Sequence, residues 1–436
     1  MTRAGRGAGG RAGVGGAEGA GAFDAPGGAE GTGACDPSGG AGHPGAARQA
    51  GGAPERAAEE ELPGPPELID QHCHSVLAVD LADEELAGLL TESDRPPAPG
   101  TSPFDSALGL AVRRWCPPAL GLPAHAPVAE YLARRRELGA REATRRLLAA
   151  AGTDTCLIDT GLTRAVGRPL LPPEEFAALS GARVREVVRL EVIAETVAPV
   201  AGSGAGGWPA AVREVVGAAV EAGAVALKSV LAYRHGLDIP AERPTDREVV
   251  AAAGARLREG TGRLTDPVLL RHLLWTALDA CGESRLPLQL HTGFGDPDLT
   301  LHRADPSLLA GFIRAAEPSG VPLVLLHGYP YHRQAAWLAQ AFPQVYADLG
   351  LTASYVGPQV AAVLGEMLEL APFGKLLFST DGYGLPELHL VGAAQFRHAL
   401  GALLATWRAD GACSASDVTR IGRLLSADNA RRIYRL

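Results

Sequence analysis

From Leu68 onward, short apolar runs rich in β-branched residues alternate with longer amphipathic stretches. Strand-length runs separated by helical periodicity are typical of repeated βα units around a parallel sheet. Eight strands in this alternation most simply predict a (β/α)8 barrel, although the pattern alone also allows a doubly wound open sheet. The predicted strands cover residues 68–72, 155–160, 184–192, 224–230, 286–291, 323–327, 345–349 and 376–380.

Helical patterns fill the intervals between these strands. Pro209 suits the first position of its helix, where the missing N–H costs nothing. The long interval between the first two strands, about residues 75–154, predicts a helical insertion that we expect to cover the barrel mouth. The predicted helices cover 128–151, 209–222, 267–281, 307–316, 333–341, 359–371, 393–407 and 415–435.

The first 64 residues have a different composition, dominated by Gly, Ala and Pro with few large apolar side chains. Such a segment cannot bury enough surface to offset the entropy of ordering it. We therefore predict a disordered segment at 1–64, or a stretch translated from an upstream start codon. One barrel domain is predicted at 65–436.

Charge and composition narrow the class of protein. The chain of 436 residues carries a net charge of −9 and no Lys/Arg cluster, so no nucleic-acid partner is expected. It has no run of about 18 uncharged apolar residues, which argues against a membrane span. Its six cysteines are scattered without a Cys-x-x-Cys pair, as in the reduced thiols of a cytoplasmic protein. No Gly-rich phosphate loop follows the first strand, which argues against a nucleotide enzyme.

Polar residues stand at the carboxyl ends of five predicted strands. The pair in the first strand is separated by one residue, so both imidazoles point to the same side of the strand. In a barrel all of these ends meet at one face, where active sites form. Imidazole and carboxylate groups are common ligands of divalent metals, so the set predicts a metal centre. Its members are His72, His74, Lys228, His291, His327 and Asp381.

Four longer stretches surround these residues: Lys-Ser-Val-Leu-Ala-Tyr-Arg-His-Gly-Leu at 228–237, Gln-Leu-His-Thr-Gly-Phe-Gly-Asp at 289–296, His-Gly-Tyr-Pro-Tyr at 327–331 and Ser-Thr-Asp-Gly at 379–382. With the histidine pair of the first strand, they resemble the amidohydrolase superfamily of metal-dependent (β/α)8 barrels over about residues 67–436. The chain is most similar to the amidohydrolase-related branch that is sometimes fused to a glutamine-synthetase-like domain.

The resemblance implies that His72, His74, His291 and Asp381 bind a divalent metal, with zinc expected and one ion favoured over two. Asp381 would also accept a proton from the metal-bound water. His327 would bind a second metal or lie beside the reacting group.

The resemblance leaves two roles open for Lys228. In binuclear relatives a lysine at the end of strand four is carbamylated and bridges two metals. In mononuclear relatives an unmodified lysine could pair with a substrate carboxylate or with an acidic side chain.

Residues beyond the strand ends are candidates for binding substrate. Arg234 is predicted to anchor an acidic group because guanidinium forks bind carboxylates bidentately, although an ordinary loop salt bridge is the alternative. Tyr233 lies in the same loop, and Tyr329 follows His327 and could wall the pocket. We expect His332 and His389 to lie at the surface.

Together these features predict a hydrolase that cleaves an amide or related C–N bond of a small, carboxylate-bearing molecule. A metal-dependent decarboxylase or lyase of the same fold is the alternative within the superfamily, and a non-catalytic metal-binding barrel is the alternative outside it. The expected partners are a small-molecule substrate and, in a homodimer, a second copy of the chain.

Overall fold

Eight parallel strands follow one another around the main sheet in chain order. The computed structural model describes residues 67–200, 204–260 and 262–436. The predicted segment at 1–64 lies outside the described residues, so the domain boundary stays a prediction. The strands of the main sheet are β1 Ile69–Cys73, β2 Thr155–Asp159, β5 Arg183–Arg189, β6 Ala226–Ser229, β7 Leu288–Thr292, β8 Leu323–His327, β9 Val345–Asp348 and β10 Leu376–Leu377, while β3 Arg164–Ala165 and β4 Arg168–Pro169 form a separate hairpin.

Backbone hydrogen bonds between the segment after β10 and the first strand close the barrel. Gln71 N donates to Phe378 O at 3.2 Å, and Asp381 N donates to His72 O at 3.0 Å. His74 N then donates to Gly382 O at 2.8 Å. Closure leaves no open sheet edge between the first and last strands. The predicted (β/α)8 barrel is confirmed, and the doubly wound alternative is wrong.

Helices surround the strands and begin at residues suited to that position. Thr245 and Glu248 form a capping box at the start of α9, and Asp266 caps α10 with Pro267 in the first turn. The helices are α1 Asp83–Gly88, α2 Ala107–Ala119, α3 Val128–Leu138, α4 Ala140–Ala151, α5 Pro173–Ser180, α6 Leu190–Val200, α7 Trp208–Glu221, α8 Leu231–Arg234, α9 Asp246–Glu259, α10 Pro267–Ser284, α11 Ala310–Ala316, α12 His332–Ala341, α13 Thr352–Tyr355, α14 Val360–Leu368, α15 Pro386–Ala409, α16 Ala415–Arg423 and α17 Asn429–Tyr434. No helix in these ranges is both long and apolar enough to cross a membrane.

Several predicted boundaries were wrong: the helix predicted at 393–407 covers Pro386–Ala409, for example, and the strand predicted at 376–380 ends at Leu377. The stretch 128–151 is two helices because Gly139 adopts a positive φ of 76° between them. The third strand ends at Arg189 and residues 190–192 are helical, since a short apolar run does not distinguish strand from buried helix. The final helix is interrupted by a π turn at Leu424–Asp428.

The predicted helical insertion is present as α1–α4 between β1 and β2. A buried ion pair attaches it to the helix that follows the last strand. Tyr131 Oη and Arg135 Nε each donate to Glu387 Oε1 at 2.8 Å, and Glu387 lies in the first turn of α15. The insertion is therefore fixed close to the segment that carries Asp381.

The C-terminal helix α17 closes the opposite end of the barrel. Asn429 Nδ2 donates to Phe373 O at 2.7 Å and to Leu376 O at 2.8 Å, where β10 begins. Side chains of this helix pack against the apolar lower layer of the barrel interior. The layer consists of Ile69, Leu157, Val187, Ala226, Val324, Leu326 and Leu377, covered by Ala427, Ala430, Ile433 and Tyr434.

Candidate metal centre

Three histidine side chains converge on the carboxylate of Asp381. The Nε2 atoms of His72 and His74 lie 3.1 Å and 3.3 Å from Asp381 Oδ1. His327 Nε2 lies 3.4 Å from the other oxygen, Oδ2. All three rings are buried at the carboxyl end of the barrel, as the strand positions predicted.

The hydrogen bonds of His72 and His74 define their neutral tautomers. Each Nδ1 faces a carbonyl oxygen, Gln289 Oε1 at 2.9 Å for His72 and Asp159 O at 3.1 Å for His74. A carbonyl oxygen only accepts, so Nδ1 carries the hydrogen and Nε2 keeps its lone pair. Burial lowers the pKa of His72 to about 4, which favours the neutral ring. Both histidines thus present a metal-binding nitrogen to the centre.

His327 has the opposite arrangement. Its Nδ1 accepts a hydrogen bond from Leu351 N at 3.2 Å, so the hydrogen of the neutral ring is on Nε2. Burial lowers the pKa of His327 to about 3. His327 Nε2 faces Asp381 Oδ2 but makes no hydrogen bond among the described residues, so its N–H group is available to a group bound in the centre. Of the two predicted roles, the geometry favours the position beside the reacting group.

Close backbone approach holds this histidine in place. A side chain at Gly350 would put Cβ 2.3 Å from His327 Nδ1, so only glycine fits there. His327 and Asp381 have positive φ angles of 71° and 50°, a conformation that is uncommon for residues with a side chain. Strained backbone of this kind concentrates at functional sites.

His291 lies beside the cluster with an unused nitrogen. Its Nε2 is buried and has no hydrogen-bond partner among the described residues. Its ring centroid is 4.8 Å from that of His327 and 4.5 Å from that of Tyr233. Two groups of ligand atoms that all lie within 4.8 Å of one another contain His72, one with His74 and Asp159 and the other with His327 and Asp381, and neither includes His291. The free nitrogen nevertheless suits a ligand better than the protonated Nε2 of His327.

The donor set fits a divalent cation. Lone pairs on His72 and His74 face a carboxylate oxygen, and lone pairs facing one another repel unless a cation lies between them. Asp381 Oδ1 is also buried without a hydrogen bond among the described residues. Nitrogen and carboxylate ligands of this kind are those that zinc binds.

Lys228 lies at the edge of this cluster, where it was predicted. Its Nζ is 3.0 Å from His72 Nε2 and 3.4 Å from Asp159 Oδ2. Burial lowers the pKa of Lys228, with the nearby Arg189 adding to the effect. Asp159 also accepts from Arg189 Nη2 at 2.7 Å. Of the proposed metal ligands, Lys228 therefore contacts only His72. It does not pair with the Nε2 atoms of His74 or His291.

The predicted substrate-binding residues are only partly brought together. Tyr233 covers His291, with the two ring centroids 4.5 Å apart. Arg234 lies farther out, 3.1 Å from Glu195 Oε1, with its Nε and Nη1 buried and unpaired among the described residues. The Tyr329 ring packs on Phe294 and stacks on His332, away from the histidine cluster.

Sequence reasoning missed several residues of the site. Asp159 ends β2 directly after an apolar run, which is the same signal that identified His291 and His327. Glu92, from the insertion, reaches Tyr355, and burial raises the pKa of this carboxyl to about 7. No sequence signal pointed to Glu92, because the sequence does not show which residues of the insertion face the barrel.

The expectation that His332 and His389 lie at the surface was wrong. His389 is buried and packs so closely on Gly382 that a Cβ there would lie 2.6 Å from the ring. His332 is buried and lies 2.5 Å from Glu366 Oε2. Both residues lie in the first turn of a helix, His332 in α12 and His389 in α15. The helical pattern alone did not show that these first turns are buried.

Comparison with known proteins agrees with this geometry. A family model described as Amidohydrolase matches residues 123–436, so the chain belongs to the amidohydrolase family. His72 and His74 precede the matched region, so their assignment rests on the structure.

Similar proteins cover different shares of the chain. Protein fluG of Emericella nidulans is 34% identical over 223 residues, which is 49% of this chain and 26% of that protein. The chain therefore matches about a quarter of that relative's length. A Lactobacillus casei ATCC 334 protein, described provisionally as a metal-dependent hydrolase, superposes with a TM-score of 0.74 at 27% identity over 85% of this chain and 95% of that one.

A uronate isomerase of Thermotoga maritima superposes with a TM-score of 0.58 at 15% identity, covering 84% of this chain and 94% of that one. Identity this low shows the shared fold alone.

Proposed function

We propose that the protein is a metal-dependent hydrolase that cleaves an amide or related C–N bond of a small molecule bearing a carboxylate. The observation that carries the proposal is the convergence of unprotonated nitrogens from His72 and His74 on Asp381. Membership in the amidohydrolase family supports metal-dependent chemistry.

One zinc ion would be held by His72, His74, His291 and Asp381. A zinc ion in such a site lowers the pKa of bound water to about 7 and polarises a carbonyl as a Lewis acid. The proton on His327 Nε2 argues for one ion over two, because this nitrogen has no lone pair to offer in the neutral ring.

The chain's own groups handle the protons of the reaction. Asp381 Oδ2 can accept a proton from the attacking water, since a divalent cation in the centre would keep the carboxylate ionised. His327 Nε2–H lies 3.4 Å from the same oxygen and can hydrogen-bond to the carbonyl or leaving group. Lys228, held by Asp159, stays uncarbamylated in this proposal and orients His72 or the substrate.

The carboxylate of the substrate would bind at Arg234. Its side chain is only 9% exposed, yet two of its N–H groups have no partner among the described residues. Leaving buried charged donors unpaired is costly, so an anion from the substrate would satisfy them. Tyr233, on the neighbouring position, would place the substrate against His291.

The test is a leaving-group assay on zinc-loaded protein, using N-acyl amino acids and aromatic carboxylic acids as separate panels. We expect amine release from the first panel, lost in Asp381→Asn. Carbon dioxide release from the second panel would favour a decarboxylase instead. Tight zinc binding with no turnover in either panel would favour a non-catalytic barrel.

A further inference from the structure

Below the metal centre, buried amide and hydroxyl groups connect His72 with the C-terminal helix. Gln289 Oε1 accepts from His72 Nδ1 at 2.9 Å, and Gln289 Nε2 donates to Tyr434 Oη at 2.8 Å. The three side chains come from β7, β1 and α17, and all three are buried. A residue near the end of the chain is thus two hydrogen bonds away from a metal ligand.

The orientation of the Gln289 amide follows from these contacts. Besides Tyr434 Oη, its NH₂ group faces two oxygens of Gln71, the backbone O at 2.8 Å and Oε1 at 3.1 Å. With acceptors on this side, the carbonyl oxygen has to face His72. A flipped amide would place N–H against His72 Nδ1, which favours the tautomer with hydrogen on Nε2 and removes the lone pair needed by a metal.

Tyr434 is the member that completes this arrangement. Its hydroxyl accepts from Gln289 and donates to Gln71 Oε1, so it supports the observed direction of both amides. Gln71 Nε2 in turn donates to Asp348 Oδ2 at 2.5 Å, and Asp348 Oδ1 accepts from His327 N at 2.6 Å. The same network therefore holds the backbone of the second functional histidine.

We propose that Tyr434 is a positioning residue of the metal centre, acting through Gln289 to keep the His72 lone pair directed at the metal. The packing of α17 into the barrel floor is then a determinant of metal affinity and not only of stability. The inference rests on the metal centre of the proposed function, but on none of its substrate chemistry.

The test compares full-length Tyr434→Phe with Tyr346→Phe. Tyr346 lies on β9, and its hydroxyl makes no hydrogen bond within the part of the chain that the structure describes. Zinc affinity is measured by competition with a chromophoric chelator, and the visible spectrum of the cobalt(II)-substituted protein reports the ligand geometry. Removing outer hydrogen bonds to a metal-bound histidine costs about 10- to 100-fold in affinity. We expect a loss of about tenfold in Tyr434→Phe with a changed cobalt spectrum, and neither effect in Tyr346→Phe.

Gln289 supplies a second test that does not depend on the helix. Gln289→Glu retains an acceptor for His72 Nδ1, whereas Gln289→Leu does not, so the glutamate variant is expected to bind zinc more tightly than the leucine variant. Equal zinc affinity in Tyr434→Phe and Tyr346→Phe, or equal affinity in the two Gln289 variants, would overturn the inference alone. A wild-type protein that binds no zinc would overturn the metal centre, and this inference with it.

Discussion

His327 Nε2 lies 3.4 Å from Asp381 Oδ2, while the Nδ1 of the same ring accepts a hydrogen bond from Leu351 N. The two contacts assign the ring proton to the nitrogen that faces the reacting centre. A histidine in this state donates a hydrogen bond and is not a metal ligand through that nitrogen. The relationship separates His327 from the other strand-end histidines, which the sequence pattern does not distinguish.

A first prediction therefore contrasts two histidines. His327→Gln is expected to retain zinc and to lower kcat by about 10²- to 10⁴-fold, the usual contribution of a general acid–base group. His291→Ala is expected to lose zinc. Metal analysis of the two purified proteins together with amine-release kinetics checks both, and exposed His302→Gln is the control. Loss of zinc in His327→Gln would show that this ring is a ligand.

Arg234 gives a prediction about substrate binding. Arg234→Gln removes the unpaired guanidinium donors, so the KM for a carboxylate substrate should rise by about 10- to 100-fold, as expected when a charged hydrogen bond worth about 1.5–3 kcal/mol is lost. The change in kcat should be smaller, because the residue lies away from the histidine cluster. Arg243→Gln is the matched control, since Arg243 forms an exposed pair with Asp279. A KM that is unchanged relative to this control would show that Arg234 forms a salt bridge with Glu195 and does not bind the substrate.

The buried pair between the insertion and α15 predicts a stability effect. Glu387→Leu leaves Arg135 as an unpaired buried charge, which costs about 3–5 kcal/mol in the free energy of unfolding. The double variant Arg135→Leu, Glu387→Leu removes both charges and is expected to recover part of that loss. Urea unfolding gives the free energy of unfolding of the wild-type protein, the single variant and the double variant. If the single and double variants were equally unstable, the unpaired charge would not be the cause.

His272 predicts a pH dependence of stability away from the metal centre. Burial lowers the pKa of this histidine to about 4, with Arg213 and Arg243 adding to the shift. Between about pH 4 and 6.5 the unfolded chain binds a proton that the folded protein does not, so stability falls as the pH falls through this window. The slope is up to about 1.4 kcal/mol per pH unit for one proton.

In metal-free protein, His272→Phe is expected to lose that part of the slope. Urea unfolding at several pH values between 4 and 7 measures it. A slope identical to that of wild-type protein would mean that His272 titrates alike in the folded and unfolded states.

Much of the barrel could be predicted because its signals are local. Alternation along β1 places His72 and His74 on one side, and a polar residue after an apolar run marks a strand end. The same rules fail where one sequence pattern is compatible with both a strand and a helix, or with one long helix and two short ones. Residues 190–192 continue an apolar run but begin a helix, and Gly139 divides a stretch that is amphipathic on both sides.

The arrangement inside the site could not be read from the sequence. Glu92 and Tyr434 come from distant parts of the chain and carry no spacing that links them to a histidine. Gln289 lies two residues before His291, but nothing in the sequence pairs it with His72. The tautomer of His327 depends on a hydrogen bond from the backbone N–H of Leu351. Every residue except proline has such a group, so the sequence does not show which one reaches the ring. Such features depend on three-dimensional contacts between side chains and become visible only in the folded structure.

Metal content per chain tests the central claim most directly. Wild-type protein, purified without added metal or chelator, should contain about one zinc ion per chain by elemental analysis, and Asp381→Ala should contain little, because it removes the carboxylate on which the histidines converge. Lys228→Ala should retain its ion. Two ions in the wild type, with one lost in Lys228→Ala, would show a carbamate-bridged binuclear centre instead. No tightly held metal in the wild type, or equal metal in Asp381→Ala, would contradict the account.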